Sequence, residues 1–248
     1  MEAALKKGFL DRNEKYFPEA DLPIAIFYSN DESYSEFLRP KKGFACMISR
    51  LGETFGGRTI AFGAGTIGCG GGLRYSGFST EPDPDLKFFL SCGFEGKGRG
   101  LRLKATPELV EESETDLPLP AAEGKYLVIK RIDHVSEQED PEVIAWLCPP
   151  DILSALVHLA AFRSFDRHCV ICPQSSGCGS IIRYPLMERG RTEPRAVVGM
   201  FDISARPYVE ANRLSLAVPF RLFRRMVEDM DESFLITPAW KRIKRRLR

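Results

Sequence analysis

The chain has 248 residues, of which 44% are hydrophobic, 28% charged and 10% aromatic. That balance excludes a wholly disordered chain, a coiled coil and a collagen-like repeat, and it suits one large domain or two small ones. Lys and Arg number 35 against 34 Asp and Glu, so no overall charge draws the chain towards nucleic acid or an anionic membrane.

In chain order, residues 2–16 read as an amphipathic helix with Leu5, Phe9 and Leu10 inward, stopped by Pro18. The apolar run LPIAIFY at 22–28 predicts a buried strand. FACMISRL at 44–51 predicts a helix starting after Gly43, with 44, 47, 48 and 51 inward and Cys46 off that stripe. RTIAF at 58–62 predicts a strand that runs into GAGTIGCGGG, a stretch expected to form a tight loop rather than regular structure. Short helices are expected at 85–91 and from Pro107.

The acidic stretch 111–124, with Pro118 and Pro120, reads as a surface connection between halves 1–117 and 125–248 of one α/β domain over 1–248. Strands follow at 126–132 and 142–147, then an apolar helix over 151–162, a short run at 168–171 and a helix from about Ser180. Strands at 196–203 and 214–218 precede a last helix after Pro238. Alternating strands and helices predict an α/β or mixed α+β fold, a twisted sheet covered by helices.

No stretch reaches the roughly 18 apolar residues that a bilayer span requires. The N-terminal residues carry Glu2, Asp11 and Glu14 and do not read as a secretion signal. The expected location is therefore cytoplasmic. There the seven cysteines (46, 69, 92, 148, 169, 172 and 178) are more often ligands or redox groups than disulfide staples.

The strongest local pattern is Cys169-x-x-Cys172-x5-Cys178. A CxxC pair can hold a soft metal, and thiolates select zinc, copper(I) or iron–sulfur centres. Cys69 or Cys46 would supply a fourth ligand. Gly68, Gly70, Gly71 and Gly72 around Cys69 would clear space for a bulky cofactor. Buried structural thiols and metal-free redox thiols stand beside this reading, because free Cys also packs as a small hydrophobe.

Gly63-x-Gly65-x-x-Gly68 matches the dinucleotide fingerprint, with Glu81, Asp83 and Asp85 as candidate ribose acids. Against it, a triple glycine costs roughly 1 kcal/mol per residue in a helix relative to Ala. Lys97 and Arg99 in Gly96-Lys-Gly-Arg-Gly100 could hold a phosphate.

Among the histidines, His168 beside Cys169 could be a ligand, and His158 reads as a satisfied core residue. Asp202 and Arg206 read as an ion pair. The basic tail KRIKRRLR reads as an intramolecular or solvated face, with the acidic 228–232 run nearby.

LPIAIFY, the Cys46 segment, IGCGGG around Cys69, LCPPDILSALVHLA, SSGCGS around Cys178 and VGMFDISAR together resemble the domain of unknown function 169 family. The resemblance implies a fold neighbourhood and candidate thiols at Cys46, Cys69 and Cys178, with Cys169 as a fourth, and it implies no reaction. The leading expectation is a protein that binds an iron–sulfur cluster, or zinc, through Cys46, Cys69, Cys169, Cys172 and Cys178 for redox or electron-transfer work with a small molecule or redox partner. The alternative is a nucleotide or phosphate binder using Gly63, Gly65, Gly68, Gly70 and Gly71 with Lys97 and Arg99. Whether the protein is an enzyme, and whether it forms an oligomer, is open at this level.

Overall fold

The computed structural model describes every residue except 19, 40–42, 44, 82, 96–97, 116–120 and 248. Seven strands form one sheet: β1 (Ile24–Ser29), β2 (Ile60–Phe62), β3 (Tyr126–Arg131), β4 (Val143–Cys148), β5 (Val170–Ile171), β6 (Ala196–Gly199) and β7 (Leu214–Pro219). Their order is β2-β3-β1-β4-β7-β6-β5. Every neighbouring pair is antiparallel except β5 with β6. The sheet is therefore mixed, in an α+β arrangement.

Side-chain alternation divides this sheet into two faces. On β4, Ile144, Trp146 and Cys148 point one way, and Val143, Ala145 and Leu147 the other. The β4–β7 register sets Ile144 against Val218 and Trp146 against Leu216 on the first face, with Ala145 against Ala217 on the second.

The first face is covered by α1 (Ala3–Tyr16), α6 (Pro150–Ala161), α8 (Phe220–Asp229) and α9 (Pro238–Lys244). Helix α6 has Pro150 in its first turn and buries Ile152, Ala155, Leu156, Leu159 and Ala160, a stripe of helical spacing. Helix α8 was not predicted; it buries Leu222, Phe223, Met226 and Val227 and turns Arg221 and Arg224 outward.

In α9, Trp240 is buried and donates its indole N–H to the Tyr16 carbonyl at 3.0 Å. Arg246 beyond it forms a two-pronged pair with Asp151, 2.6 Å at each prong. The basic tail thus folds back on its own chain, and the acid it meets is Asp151 rather than the 228–232 run. His158 is exposed on the outer side of α6, its ring edge-on to Phe234, and is not a core residue.

The second face is roofed by short pieces: a 3₁₀ turn Met47–Arg50, α2 (Leu51–Phe55), α3 (Gly70–Tyr75), a π-turn Gly179–Arg183 and α7 (Tyr184–Glu188). Helices α4 (Leu86–Leu90) and α5 (Pro107–Thr115) pack on each other. Two expectations are corrected here. The helix expected from residue 44 begins with the turn at Met47, and Phe44 lies outside the described residues. Residues 111–115 belong to α5 rather than to a connection, and 116–120 lie outside the described residues. Among the described residues no helix is long and apolar enough to cross a membrane.

A candidate thiol centre

The sequence around Cys69 departs most from expectation. GCGGG does not form a loop: Gly70 to Gly72 make the first turn of α3, and Cys69 is its N-cap. The Cys69 Sγ accepts the Gly72 N–H at 3.3 Å, the role that a Ser or Asp oxygen usually plays at a helix start. This bond returns part of the cost of glycine in a helix.

Gly72 is also required sterically, since a Cβ there would stand 2.8 Å from the Cys69 Sγ and 2.8 Å from the Ile67 Cγ2. Gly68 is held as closely, with Ala45 N only 2.8 Å from a would-be Cβ. These two glycines therefore admit the protein's own atoms, not a cofactor. Gly65 and Gly71 face open space, Gly63 is in ordinary contact with the Lys125 carbonyl, and Gly70 with Asp83.

Cys46, which precedes the Met47–Arg50 turn, packs against the same apolar cluster as Cys69, close enough for each thiol to shift the other. The Cys46 thiol, then the backbone N–H groups of Met47 and Gly72, pull the Cys69 pKa down to about 6, against burial and the nearby Asp202 carboxylate. Cys69 and burial push the Cys46 thiol well above its ordinary value. Of the two thiols Cys69 is the one disposed to ionise, because the backbone donors are there.

Cys178 is the third cysteine of this face. It stands just before the Gly179–Arg183 turn and belongs to the same apolar cluster as Cys69, with Cys46 packed against it. Its Sγ lies 3.2 Å from the Ser176 Oγ, and burial pushes its pKa up to about 12.

The segment is anchored by Asp202. One carboxylate oxygen accepts the Gly177 N–H at 3.0 Å, and the other accepts Ser204 N–H and O–H at 2.8 and 2.7 Å. The expected pair with Arg206 is replaced: the Arg206 guanidinium donates to the Glu210, Ala211 and Arg213 carbonyls. Met200, two residues earlier, is fully buried with φ +68°, a left-handed conformation that a side-chain-bearing residue adopts at a cost. Its N–H is held by the Ser180 Oγ at 3.2 Å.

The remaining cysteines are elsewhere. Cys169 and Cys172 flank β5, the outermost strand, and neither belongs to the cluster around Cys69. Cys169 is buried, whereas Cys172 is exposed, as is His168. The extended backbone explains the separation, because positions three apart on a strand face opposite ways. Cys148 lies on the other face of the sheet, and Cys92 is exposed. The predicted set of five is thus divided. Among the described residues no group of three or more His, Cys, Asp or Glu side chains is arranged to hold a metal ion.

The dinucleotide reading also loses its frame, since β2 is an edge strand paired antiparallel to β3 and not the first strand of a parallel βαβ unit. Lys97 lies outside the described residues, and Arg99 is exposed and does not line the cleft beside Cys46.

A cleft of about 370 Å³ opens beside Cys46. Its walls include Arg39, Arg50, Phe62, Thr66 and Gly68. Of the Gly63–Gly68 turn, Thr66, Ile67 and Gly68 line this recess and Gly63 and Gly65 do not, and the Gly63 N–H is donated to the Thr66 Oγ1 at 2.9 Å. Nothing in the sequence marked Arg39 or Arg50.

No curated protein and no solved structure matches this chain. The match that does exist is to a family described as Uncharacterised ArCR and covers residues 20–229, and on it the chain belongs to the DUF169 family.

Proposed function

We propose that this protein works through sulfur redox chemistry at Cys46 and Cys69. The observation that carries the reading is the placement of both cysteines on one face, Cys69 capping α3 with its sulfur on the Gly72 N–H and Cys46 packed against that cluster while lining an open cleft. A thiolate is the nucleophile of disulfide exchange, and its attack needs access. Cys69 is 9% exposed, so the attacking atom is Cys46. The Cys46 proton moves to Cys69, and the Cys46 thiolate attacks one sulfur of a substrate disulfide.

The S–S bond breaks, a mixed disulfide forms on Cys46, and the departing thiolate takes the proton from Cys69. Cys69 then displaces the second half of the substrate and closes a Cys46–Cys69 disulfide. The protein pair loses two electrons, and the substrate gains two and leaves as one thiol and one thiolate.

The test is to expose the anaerobically reduced protein to a small disulfide such as oxidised glutathione and map the products by peptide mass spectrometry. A Cys46–Cys69 linkage is expected, and Cys69→Ser should stop at an adduct on Cys46. An unreactive pair overturns the reading.

A second reading keeps the thiolates and adds a metal. Cys46, Cys69 and Cys178 share one face of the sheet, and although their arrangement here is not a ligand set, a soft ion such as zinc, copper(I) or the iron of an iron–sulfur centre is the group such donors would take if drawn together. Metal and sulfide analysis of the same sample, with its visible spectrum, decides between the two. Stoichiometric metal that is lost in Cys46→Ser and Cys69→Ser establishes the second reading.

A further inference from the structure

We propose that the cleft beside Cys46 selects substrates carrying an anionic group, a carboxylate, sulfonate or phosphate, and delivers them to that sulfur. The inference rests on the thiol reading above and names its substrate class.

The charges at the cleft do not balance. Arg39 donates to Glu53 at 2.6 Å, and Arg50 donates to the other oxygen of the same carboxylate at 3.3 Å. Two guanidinium groups thus share one carboxylate, and no other acid lines the recess among the described residues. Cys69 does not line the recess, so among the groups at its wall one positive charge is left over.

Arg50 is the better positioned of the two. Its side chain is only 16% exposed and lies over the Phe62 ring at 5.1 Å, with one contact to the Ala61 carbonyl at 3.4 Å. The Glu53, Ala61 and Phe62 contacts fix the planar guanidinium in orientation at the wall, and such a fork is suited to pairing with a carboxylate or phosphate. Arg39 is 54% exposed and can swing.

The volume, about 370 Å³, falls in the range of small-molecule sites. The walls mix these cations with Met47, Phe62 and Ile67. They suit a small organic molecule with one charged end better than a bare ion.

The experiment compares three dialkyl disulfides on the reduced protein, so that the leaving thiols are alike in kind: dithiodipropionate, which is anionic, hydroxyethyl disulfide, which is neutral, and cystamine, which is cationic. The readout is the initial rate of Cys46–Cys69 disulfide formation, measured on the peptide so that Cys92 and Cys172 do not contribute. The anionic reagent should exceed the cationic one by about tenfold or more at low ionic strength, and the ratio should shrink with salt.

Arg50→Gln and Arg39→Gln should each lower that ratio, and Arg224→Gln on α8 should leave it unchanged. Arg39 is exposed enough that its variant tests the claim even if Arg50→Gln misfolds. Equal rates for the anionic and cationic reagents, or a ratio that survives both cleft variants, overturn the substrate class. Failure of all three reagents to form the disulfide instead overturns the thiol reading itself, a distinct result.

Discussion

Gly72 lies directly under the sulfur of Cys69: it donates its N–H to Sγ at 3.3 Å, and a Cβ on it would reach to 2.8 Å from the same atom. One residue thus stabilises the thiolate and leaves room for it. Gly72→Ala should cost about 1–3 kcal/mol in a denaturant melt, as over-packing of a filled core does. It should also slow alkylation of the Cys46–Cys69 pair. Gly71→Ala, which meets nothing within 4 Å, is the matched control and should be neutral or stabilising.

The pH dependence of the pair follows from the depressed Cys69 value. Thiolate absorbance should rise through a step near about 6, absent in Cys69→Ser. Cys46→Ala removes the neighbour that lowers the Cys69 value most and should move the step upward, whereas Cys46→Ser keeps an O–H and should move it less. Because the folded value lies below the ordinary one near 9, the ionised pair stabilises the fold above 9. That contribution falls away as the pH drops through about 6, and a urea titration of wild type against Cys69→Ser should show it.

Cys178 carries the opposite sign. Burial raises its folded value to about 12, so it favours folding while it stays neutral. That contribution is complete below the ordinary value near 9 and is lost as the pH rises towards about 12. Wild type should lose stability over this alkaline window faster than Cys178→Ala does, by thermal melting.

Asp202 opposes the Cys69 charge while it anchors Gly177. Asp202→Asn keeps an oxygen for the Gly177 N–H, gives up the acceptor of the Ser204 N–H and removes the charge, so the thiolate step should shift to lower pH at a cost of about 1 kcal/mol. Asp202→Ala leaves the Gly177 N–H without that acceptor and should destabilise by about 1–3 kcal/mol. An unchanged step in Asp202→Asn would show that the carboxylate is not felt at Cys69.

On the opposite face, Trp240 and Arg246 separate burial from charge. Trp240 packs edge-on against Phe17 and Phe234 and is 2% exposed. Trp240→Ala should cost about 3–5 kcal/mol. Arg246→Ala breaks an exposed pair with Asp151 and should cost under about 1 kcal/mol, less in salt.

Much of the sheet was legible because buried strands are short apolar runs, as LPIAIFY and YLVIKRI are, and α6 because its stripe has helical period. Helix α8 escaped because three arginines interrupt its apolar pairs, so the run FRLFRRMVED carries little mean hydropathy although its spacing is helical. Around Cys69, propensity misled: three glycines disfavour a helix in isolation, and only the packing of Sγ against Gly72, with Cys46 nearby, explains them.

The CxxC spacing misled in the other direction, since it marks a shared site only where the backbone turns, and at β5 it is extended. The placement of Cys46 beside Cys69 has no local signature at all. The resemblance to DUF169 pointed to both residues, but neither it nor their spacing could bring them together.

The two faces of the sheet also differ in how they are held. One is clamped by helices of ten to fourteen residues at α1, α6 and α8, whereas α2, α3 and α7 over the sulfurs have five or six. Segments that short do not persist without tertiary support. The roof over the thiols should therefore be the weaker cooperative unit and open first in native-state hydrogen exchange, ahead of the clamp. A disulfide between Cys46 and Cys69 would tie two of its pieces together, so the protein's redox history would be written in how readily that roof breathes.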